Sequence, residues 1–212
     1  MAFESMLNSC CRFSPAVFLK NGNKMGYQPQ RHLWAWLNRI FNMVDPVRIK
    51  EVGADRACAE WLLRCGASVK YKNSTKYVND YNSLPPERSS FAIQEVDATD
   101  SAVMNEGFPH FRGLKHLEKI TFHRCSYLED EALKKLVYVK DSLKHLQVSS
   151  CGDVTDEGIL SLAALINLNS ILLYDLPEVK QREKCLNELI KALPSCKVDF
   201  PYASYSEKDE KK

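Results

Sequence analysis

The side chains best suited to chemistry are eight cysteines and five histidines. No two cysteines form a C-x-x-C pair, which weakens zinc-finger and thioredoxin interpretations. His123 and Cys125 are close in sequence, but we expect His123 to point outward from a strand and Cys125 to turn inward after it, so they cannot pair as base and nucleophile. The phosphate-loop, zinc-protease and serine-hydrolase motifs are absent from the sequence. We therefore predict that the chain is not an enzyme.

Composition and charge narrow the functional classes of protein to which the chain can belong. Hydrophobic residues make up 45% of the 212 residues and charged residues 26%, which is typical of a globular protein. The net charge of +2 comes from the first 31 residues, so the rest of the chain is near neutral and offers no basic surface for nucleic acid. Two aspartate pairs, Asp97/Asp100 and Asp153/Asp156, are expected to cap turns and helices.

The second half of the chain contains an internal repeat. The pattern Leu117-x-x-Ile120-x-Phe122-x-x-Cys125 recurs 26 residues later as Leu143-x-x-Leu146-x-Val148-x-x-Cys151. Further copies, at offsets of 24–26 residues, begin at Ile93, Leu168 and, truncated, Leu193. This period is typical of leucine-rich repeats, in which positions 4 and 6 lie on a strand and point inward. Return helices are predicted at 130–136 and 156–162, and the cysteines at position 9 are expected to be structural.

These elements predict an α/β fold, a short leucine-rich-repeat solenoid preceded by a small, mostly helical domain. The predicted limits are 32–90 for the N-terminal domain, 91–200 for the repeats and 201–212 for a disordered charged tail. Residues 1–31 are basic and poor in acids, which indicates a mitochondrial transit peptide, with a disordered tail as the alternative.

The N-terminal domain is expected to begin with an amphipathic helix over 32–44. Its apolar side would contain Leu33, Trp36, Leu37, Ile40, Phe41 and Val44. Trp34 and Trp36 are candidates for contact with a partner protein or a membrane interface, and packing on the domain itself is the alternative. A second helix is expected to open near Gly53 and to end at Gly66.

Outward-facing strand positions 3, 5 and 7 form the predicted partner surface. Strand periodicity alternates these side chains with the buried ones, and stacked repeats join them into one face. The best candidates for partner binding are Lys119, His123, His145 and Tyr174. The full set is Glu95, Asp97, Thr99, Lys119, Thr121, His123, His145, Gln147, Ser149, Ser170, Leu172 and Tyr174.

Strings outside the repeat consensus resemble a known family. They are L-W-A-W-L-N at 33–38, V-G-A-D-R-A at 52–57, E-W-L-L-R-C-G-A at 60–67, V-D-A-T-D at 96–100 and S-C-G-D-V-T-D at 150–156. From about Leu33 to Phe200 the chain is similar to mitochondrial ATP synthase subunit s, also called coupling factor B or distal membrane arm assembly component 2-like.

The resemblance implies a peripheral protein on the matrix side of the mitochondrial inner membrane. It implies association with ATP synthase subunits and support of proton conduction through the membrane sector. It also implies a weak Mg²⁺ site made by two main-chain carbonyls, at the matching positions Gly66 and Thr99, with Asp97 and Asp100 holding metal-bound water. One departure is His123, where relatives have the first cysteine of a Cys-x-Cys. Another is Ala35, where they have glycine.

Two alternative functions stay open at this point. One is an assembly factor for respiratory complex I, which the resemblance to a paralogous family suggests. Another is a leucine-rich-repeat adaptor of ubiquitin-ligase type, which shares the cysteine-containing repeat. The sequence also leaves open a homo-oligomer.

Overall fold

The computed structural model describes residues 36–87, 89–201 and 203, and all structural statements below concern these residues. The predicted transit peptide, Trp34 and the tail after Ala203 lie outside them. Seven strands form one sheet in the order β2-β1-β3-β4-β5-β6-β7. Their bounds are β1 Ser68–Tyr71, β2 Tyr77–Val78, β3 Ile93–Asp97, β4 Lys119–His123, β5 His145–Ser149, β6 Ser170–Tyr174 and β7 Lys197–Asp199.

Strands β3 to β7 are parallel and follow the predicted repeat. Val96, Ile120, Leu146 and Ile171 occupy matching rungs, and all four are at most 3% exposed. Positions 4 and 6 therefore point into the core, as predicted. Burying these side chains is the main favourable term in forming the sheet.

The last repeat is shifted from its predicted register. The motif at Leu193 places Val198 beside Leu173, but the structure pairs Val198 with Ile171. Because the shift is two residues, it keeps the same side chains on the same face of the strand. It brings the larger Phe200 into the buried end of the repeat, where it is 6% exposed.

The helices return along one layer beside the sheet, and neighbouring helices pack in sequence. The α-helices are α1 Pro46–Val52, α2 Ala54–Arg64, α3 Asp130–Lys134, α4 Asp156–Ser161 and α5 Arg182–Ala192. Both predicted return helices are confirmed, and each continues as a 3-10 turn, Lys135–Val139 or Leu162–Ala164. In the first repeat, the segment after the strand is not an α-helix but a 3-10 segment, Asn105–Phe111. It contains Pro109, and proline disfavours the interior of an α-helix.

Aspartates at the starts of the return helices join each repeat to the next. Asp130 Oδ1 accepts a hydrogen bond from the Thr155 backbone N–H at 2.8 Å, and Asp156 Oδ1 accepts one from the Gln181 N–H at 2.9 Å. Such bonds satisfy donors that a loop would otherwise leave unpaired. The cap of α4 itself is Thr155, whose side chain accepts a hydrogen bond from the Glu157 N–H, so Asp156 bonds to the following repeat and does not cap its own helix as predicted.

The N-terminal segment continues the same sheet and core. Strand β1 pairs antiparallel with β3, aligning Val69 with Val96. Helix α2 places Trp61, fully buried, against Phe108 and Phe111, with ring centroids 6.0 and 5.3 Å apart. The predicted end of this helix is confirmed, because Gly66 has the positive φ of 85° that glycine accommodates best.

The predicted first helix ends earlier than expected, and its apolar stripe is only partly buried. Helical residues 36–41 give way to a turn at Asn42. Phe41 packs against the core, whereas Trp36 and Ile40 are 58% and 40% exposed. Pro46 begins α1, a short helix that the sequence did not indicate. No helix within the described ranges has the length and apolar character needed to cross a bilayer.

Helix α1 is held on α2 by a buried carboxylate that the sequence did not indicate. Glu60, 1% exposed, accepts hydrogen bonds from Arg48 at 2.7 Å and from Arg56 at 3.0 Å. Burial acts to raise the pKa of Glu60, but the hydrogen bonds from the two guanidinium groups hold that pKa below its ordinary value. The carboxylate is therefore kept charged and paired.

Asn42 is the buried polar residue that ties the N-terminal helical segment to the core. Its Oδ1 accepts hydrogen bonds from Trp61 Nε1 at 3.0 Å and from the Met104 N–H at 2.8 Å. Its Nδ2 donates to the carbonyls of Ala102 at 2.9 Å and Asn38 at 2.8 Å. One side chain thus satisfies groups from three separate segments.

Asn42→Ala is expected to lower the free energy of unfolding by about 3 kcal/mol, because it leaves two buried N–H donors without acceptors. Urea denaturation measures the change. Asn79→Ala, at an exposed asparagine, is the matched control and should change stability by less than about 0.5 kcal/mol. A loss at Asn42 no larger than that of the control would contradict this role.

Candidate functional site: the exposed face of the sheet

The predicted partner surface is a continuous face of the parallel strands. The strand register places Lys119 beside His145, and His145 beside Ser170. The predicted positions therefore form rows across β4, β5 and β6. Lys119, His145 and Tyr174 are exposed, Tyr174 at 41%. Three of the four best candidates are therefore accessible, while His123 is half-buried.

Hydrogen bonds between neighbouring strands order the histidines of this face. His145 Nδ1 lies 2.8 Å from Ser170 Oγ, and His123 Nδ1 lies 2.9 Å from Ser149 Oγ. Gln147 Nε2 also donates to Ser149 Oγ at 3.0 Å. Ser149 was predicted to be an outward contact residue, but its exposure is only 2%, because these longer side chains cover it.

A charged cluster occupies the end of the face nearest β1. Glu95 accepts hydrogen bonds from Lys70 Nζ at 2.5 Å and from Tyr77 Oη at 2.7 Å, and Lys119 Nζ lies 4.0 Å from its second oxygen. Burial acts to raise the pKa of Glu95, but the hydrogen bonds from Lys70 and Tyr77 hold that pKa below its ordinary value. Lys70 is the closer partner of this carboxylate, so Lys119 is only weakly paired and its exposed ammonium group is accessible.

A shallow groove crosses the middle of the face. Its lining includes Leu172, Lys119 on β4 and both Lys197 and Asp199 on β7. Lys197 and Asp199 were missed as face residues because the outward positions were not extended to the truncated repeat, where they are positions 5 and 7. Strand alternation alone would have found them, since the two-residue shift leaves both side chains on this face. The groove combines apolar surface with more cationic than acidic groups, which suits a protein segment that carries apolar and acidic side chains.

The two cysteines at position 9 lie inside the molecule and contact each other. Cys125 and Cys151 are fully buried free thiols. Cys125 Sγ lies 2.9 Å from the Ala98 carbonyl oxygen and 3.7 Å from Ser101 Oγ. Its hydrogen-bonded contact with Cys151, together with burial, raises the pKa of the Cys125 thiol. Among the residues described, no cluster of three metal-ligating side chains exists.

The two predicted metal ligands lie just beyond the ends of the β1–β3 pair. The strand register pairs Ser68 with Asp97, and Gly66 and Thr99 are each two residues outside that last pair. Asp97 Oδ1 accepts hydrogen bonds from the Thr99 N–H at 3.0 Å and from Thr99 Oγ1 at 2.6 Å. Asp100 turns away to an ion pair with Arg124, so it does not join the group as expected.

A second accessible surface lies on the N-terminal segment. Trp36, Met43 and Val47 are 58%, 63% and 64% exposed. Trp36 therefore remains available for contact, and the predicted companion Trp34 lies outside the described residues. An exposed tryptophan among apolar neighbours is a recognised feature of interaction sites.

Cysteine reactivity should follow burial. In the native protein we expect Cys125 and Cys151 to react with iodoacetamide at least about tenfold more slowly than the half-buried Cys196, because the buried thiols are inaccessible to the reagent. Peptide mass spectrometry after timed alkylation resolves each site, and the unfolded chain is the control. Rapid labelling of Cys125 in the folded protein would contradict the structural role.

Comparison with known proteins gives a consistent match over most of the chain. ATP synthase subunit s, mitochondrial, of Rattus norvegicus is 46% identical over 172 residues, which cover 79% of this chain and 86% of that protein. The Homo sapiens and Bos taurus proteins of the same name are each 45% identical over the same lengths. A Drosophila melanogaster protein, distal membrane arm assembly component 2, is 25% identical over 169 residues. No family model matches the chain. Identity at this level and coverage establishes that the chain belongs to the family of mitochondrial ATP synthase subunit s.

Proposed function

We propose that this protein is a non-catalytic accessory factor that associates with mitochondrial ATP synthase. The observation that carries the proposal is 45–46% identity to mammalian mitochondrial proteins named as a subunit of that enzyme. In the proposal, the protein resides in mitochondria, on the matrix side of the inner membrane, and supports proton conduction through the membrane sector. Residues 1–31 would act as its transit peptide.

The proposed contact surface is the exposed face of the sheet. Its central groove is lined by apolar Leu172, by two lysines, Lys119 and Lys197, and by one carboxylate, Asp199. The apolar surface and the excess of cationic over acidic side chains suit a segment of a partner subunit that carries acidic and apolar side chains. Tyr174 and His145 would be the anchors, because large amphipathic side chains contribute most to binding hot spots. The rows of strand residues are rigidly spaced, which reduces the entropy lost on binding.

We further propose that β3–β7 and their return helices form a short leucine-rich-repeat solenoid. Supporting this are the strand offsets of 24–26 residues through β6 and the bonds from Asp130 and Asp156 to the following repeat. Each unit would bury its apolar side only against its neighbours. The exposed face of the sheet would then be the concave surface that such proteins commonly use for binding.

The Gly66 and Thr99 carbonyls are proposed to hold a weakly bound Mg²⁺. The donor chemistry fits, because magnesium prefers hard oxygen ligands and keeps several of its waters. The Asp97 carboxylate is close enough in sequence and register to accept hydrogen bonds from those waters. In this role the ion would brace the junction between α2 and the first repeat.

A second candidate is a factor that assembles the membrane arm of respiratory complex I. The observation favouring it is the 25% identity to distal membrane arm assembly component 2, which extends over 76% of this chain. The match covers 59% of that longer protein. In this case the chain would bind assembly intermediates and would be absent from mature ATP synthase.

Association through the sheet face can be tested in mitochondria. Lys119→Glu combined with Tyr174→Ala should reduce comigration with ATP synthase in mild-detergent native separation at least about tenfold, because it removes a charge and an aromatic anchor. The melting midpoint of the purified double variant should stay close to that of the wild type.

Trp36→Ala and Lys140→Glu are the matched controls, since Trp36 is exposed on another segment and Lys140 is an exposed lysine at the end of the 3-10 turn Lys135–Val139. Normal comigration of the double variant with loss for Trp36→Ala would contradict the sheet-face proposal and favour the N-terminal segment. Comigration with intermediates of complex I alone would favour the second candidate.

Magnesium binding can be measured by titration calorimetry. Thr99→Ala should bind with nearly unchanged affinity, because the ligand is a main-chain oxygen. Gly66→Val should lose binding, because its φ of 85° is strained for a β-branched residue although the space around it is open. Gly152→Val, which also has open space but no positive φ, is the control. An absence of heat from wild-type protein would contradict the site.

A further inference from the structure

The last strand ends the sheet with an edge that no described strand covers. Strand β7 pairs with β6 on one side and is last in the strand order. Lys197 N–H donates to the Asn169 carbonyl at 2.8 Å, so backbone alternation turns the N–H and C=O of Val198 away from β6. After β7 the chain turns, with the Ala203 N–H donating to the Phe200 carbonyl at 3.0 Å. An edge of this kind is a template for another strand.

The charges on this edge are complementary to themselves. Lys197 and Asp199 flank Val198, both are exposed, and both line the groove on the exposed face. In an antiparallel pair of two β7 strands centred on Val198, Lys197 of each copy lies directly opposite Asp199 of the other. Two ion pairs therefore form on one face of the joined sheet, and opposite charges at such positions stabilise strand pairing.

The backbone is compatible with the same arrangement. Two Val198 residues opposite one another exchange both of their outward-facing hydrogen bonds, which is the hydrogen-bonded pair of an antiparallel ladder. A two-fold axis perpendicular to the sheet keeps the helix layers of both copies on the same side. Helix α5 packs against β7 at this end and carries Ile190, which is 51% exposed.

We propose that the β7 edge is a self-association surface on which two copies of this chain pair antiparallel, through Val198 and two reciprocal Lys197–Asp199 contacts. The closed two-fold arrangement uses the same patch on each copy, so it stops at a dimer. The exposed faces of both sheets then join into one longer binding surface. The tail beyond Ala203 is a poor competitor for the edge, because it is dominated by charged residues.

Sedimentation equilibrium of the full chain, up to about 100 µM protein, tests the proposal. Wild-type protein should show a reversible monomer–dimer equilibrium. Lys197→Asp and Asp199→Lys should each weaken the dimer about tenfold or more, because each sets like charges opposite one another twice. The double variant Lys197→Asp/Asp199→Lys should recover an association constant within about threefold of wild type, since the pairs are restored in reverse.

Two further variants show whether the backbone of β7 and the tail take part in the dimer. Val198→Pro removes an outward-facing N–H, which edge strands tolerate, and it also changes a side chain that packs against the core. It should therefore abolish the dimer and lower the melting midpoint only modestly. A chain ending at Ala203 should dimerise like the full chain. Lys140→Asp, an exposed charge reversal on another repeat, is the control and should leave association unchanged.

The proposal is overturned if the wild type stays monomeric throughout this range, or if the double charge swap associates as weakly as the single variants. Dimerisation that appears only after the tail is removed would identify the tail as the occupant of the edge and would also overturn it. Growth beyond the dimer would indicate head-to-tail pairing of β7 with β2 of another copy, which is incompatible with the two-fold arrangement.

Discussion

The antiparallel pairing of β1 with β3 is the constraint on which most of the structure depends. It gives the first parallel strand a partner on its open side, so the repeats do not begin with a bare edge. Through the same pairing, helix α2 brings Trp61 over the core. The N-terminal segment is therefore joined to the first repeat by sheet hydrogen bonds and a shared core.

Polar side chains link segments that apolar burial alone would leave loosely oriented. Asn42 joins the N-terminal helical segment to α2 and to the first return segment, and Asp130 and Asp156 do the same between later repeats. Hydrogen bonds have fixed geometry, whereas hydrophobic burial is non-directional, so these contacts set how the segments are oriented. A framework of this kind spaces Lys119, His145 and Tyr174 across three strands, and such preorganisation lowers the entropy lost when a partner binds.

The two ends of the sheet differ in a way that matters for assembly. At the β2 end, Tyr77 is tied to Glu95, and the strand is two residues long. At the β7 end, the edge carries a lysine and an aspartate at alternate positions around a half-buried valine. A short edge with reciprocal charges avoids indiscriminate pairing and still suits a second copy of itself. The proposed partner face and the proposed dimer edge meet at Lys197 and Asp199. Dimerisation would therefore join the partner faces of two copies into one longer surface.

The amino-acid sequence alone determined the repeat, because strand burial recurs every 24–26 residues and leaves a readable pattern at positions such as Ile120 and Leu146. It also indicated the return helices, the end of α2 at Gly66 and the accessible face of the strands. The tertiary structure decided the rest. Asn42 is buried because it bonds to Trp61 and to the backbone of distant segments, and such pairing leaves no local signal. Glu60 has one local partner, Arg56, but its burial also depends on Arg48 from another helix. Ser149 is covered by side chains of neighbouring positions, His123 and Gln147. The register of the last strand likewise depends on tertiary packing, which buries Phe200.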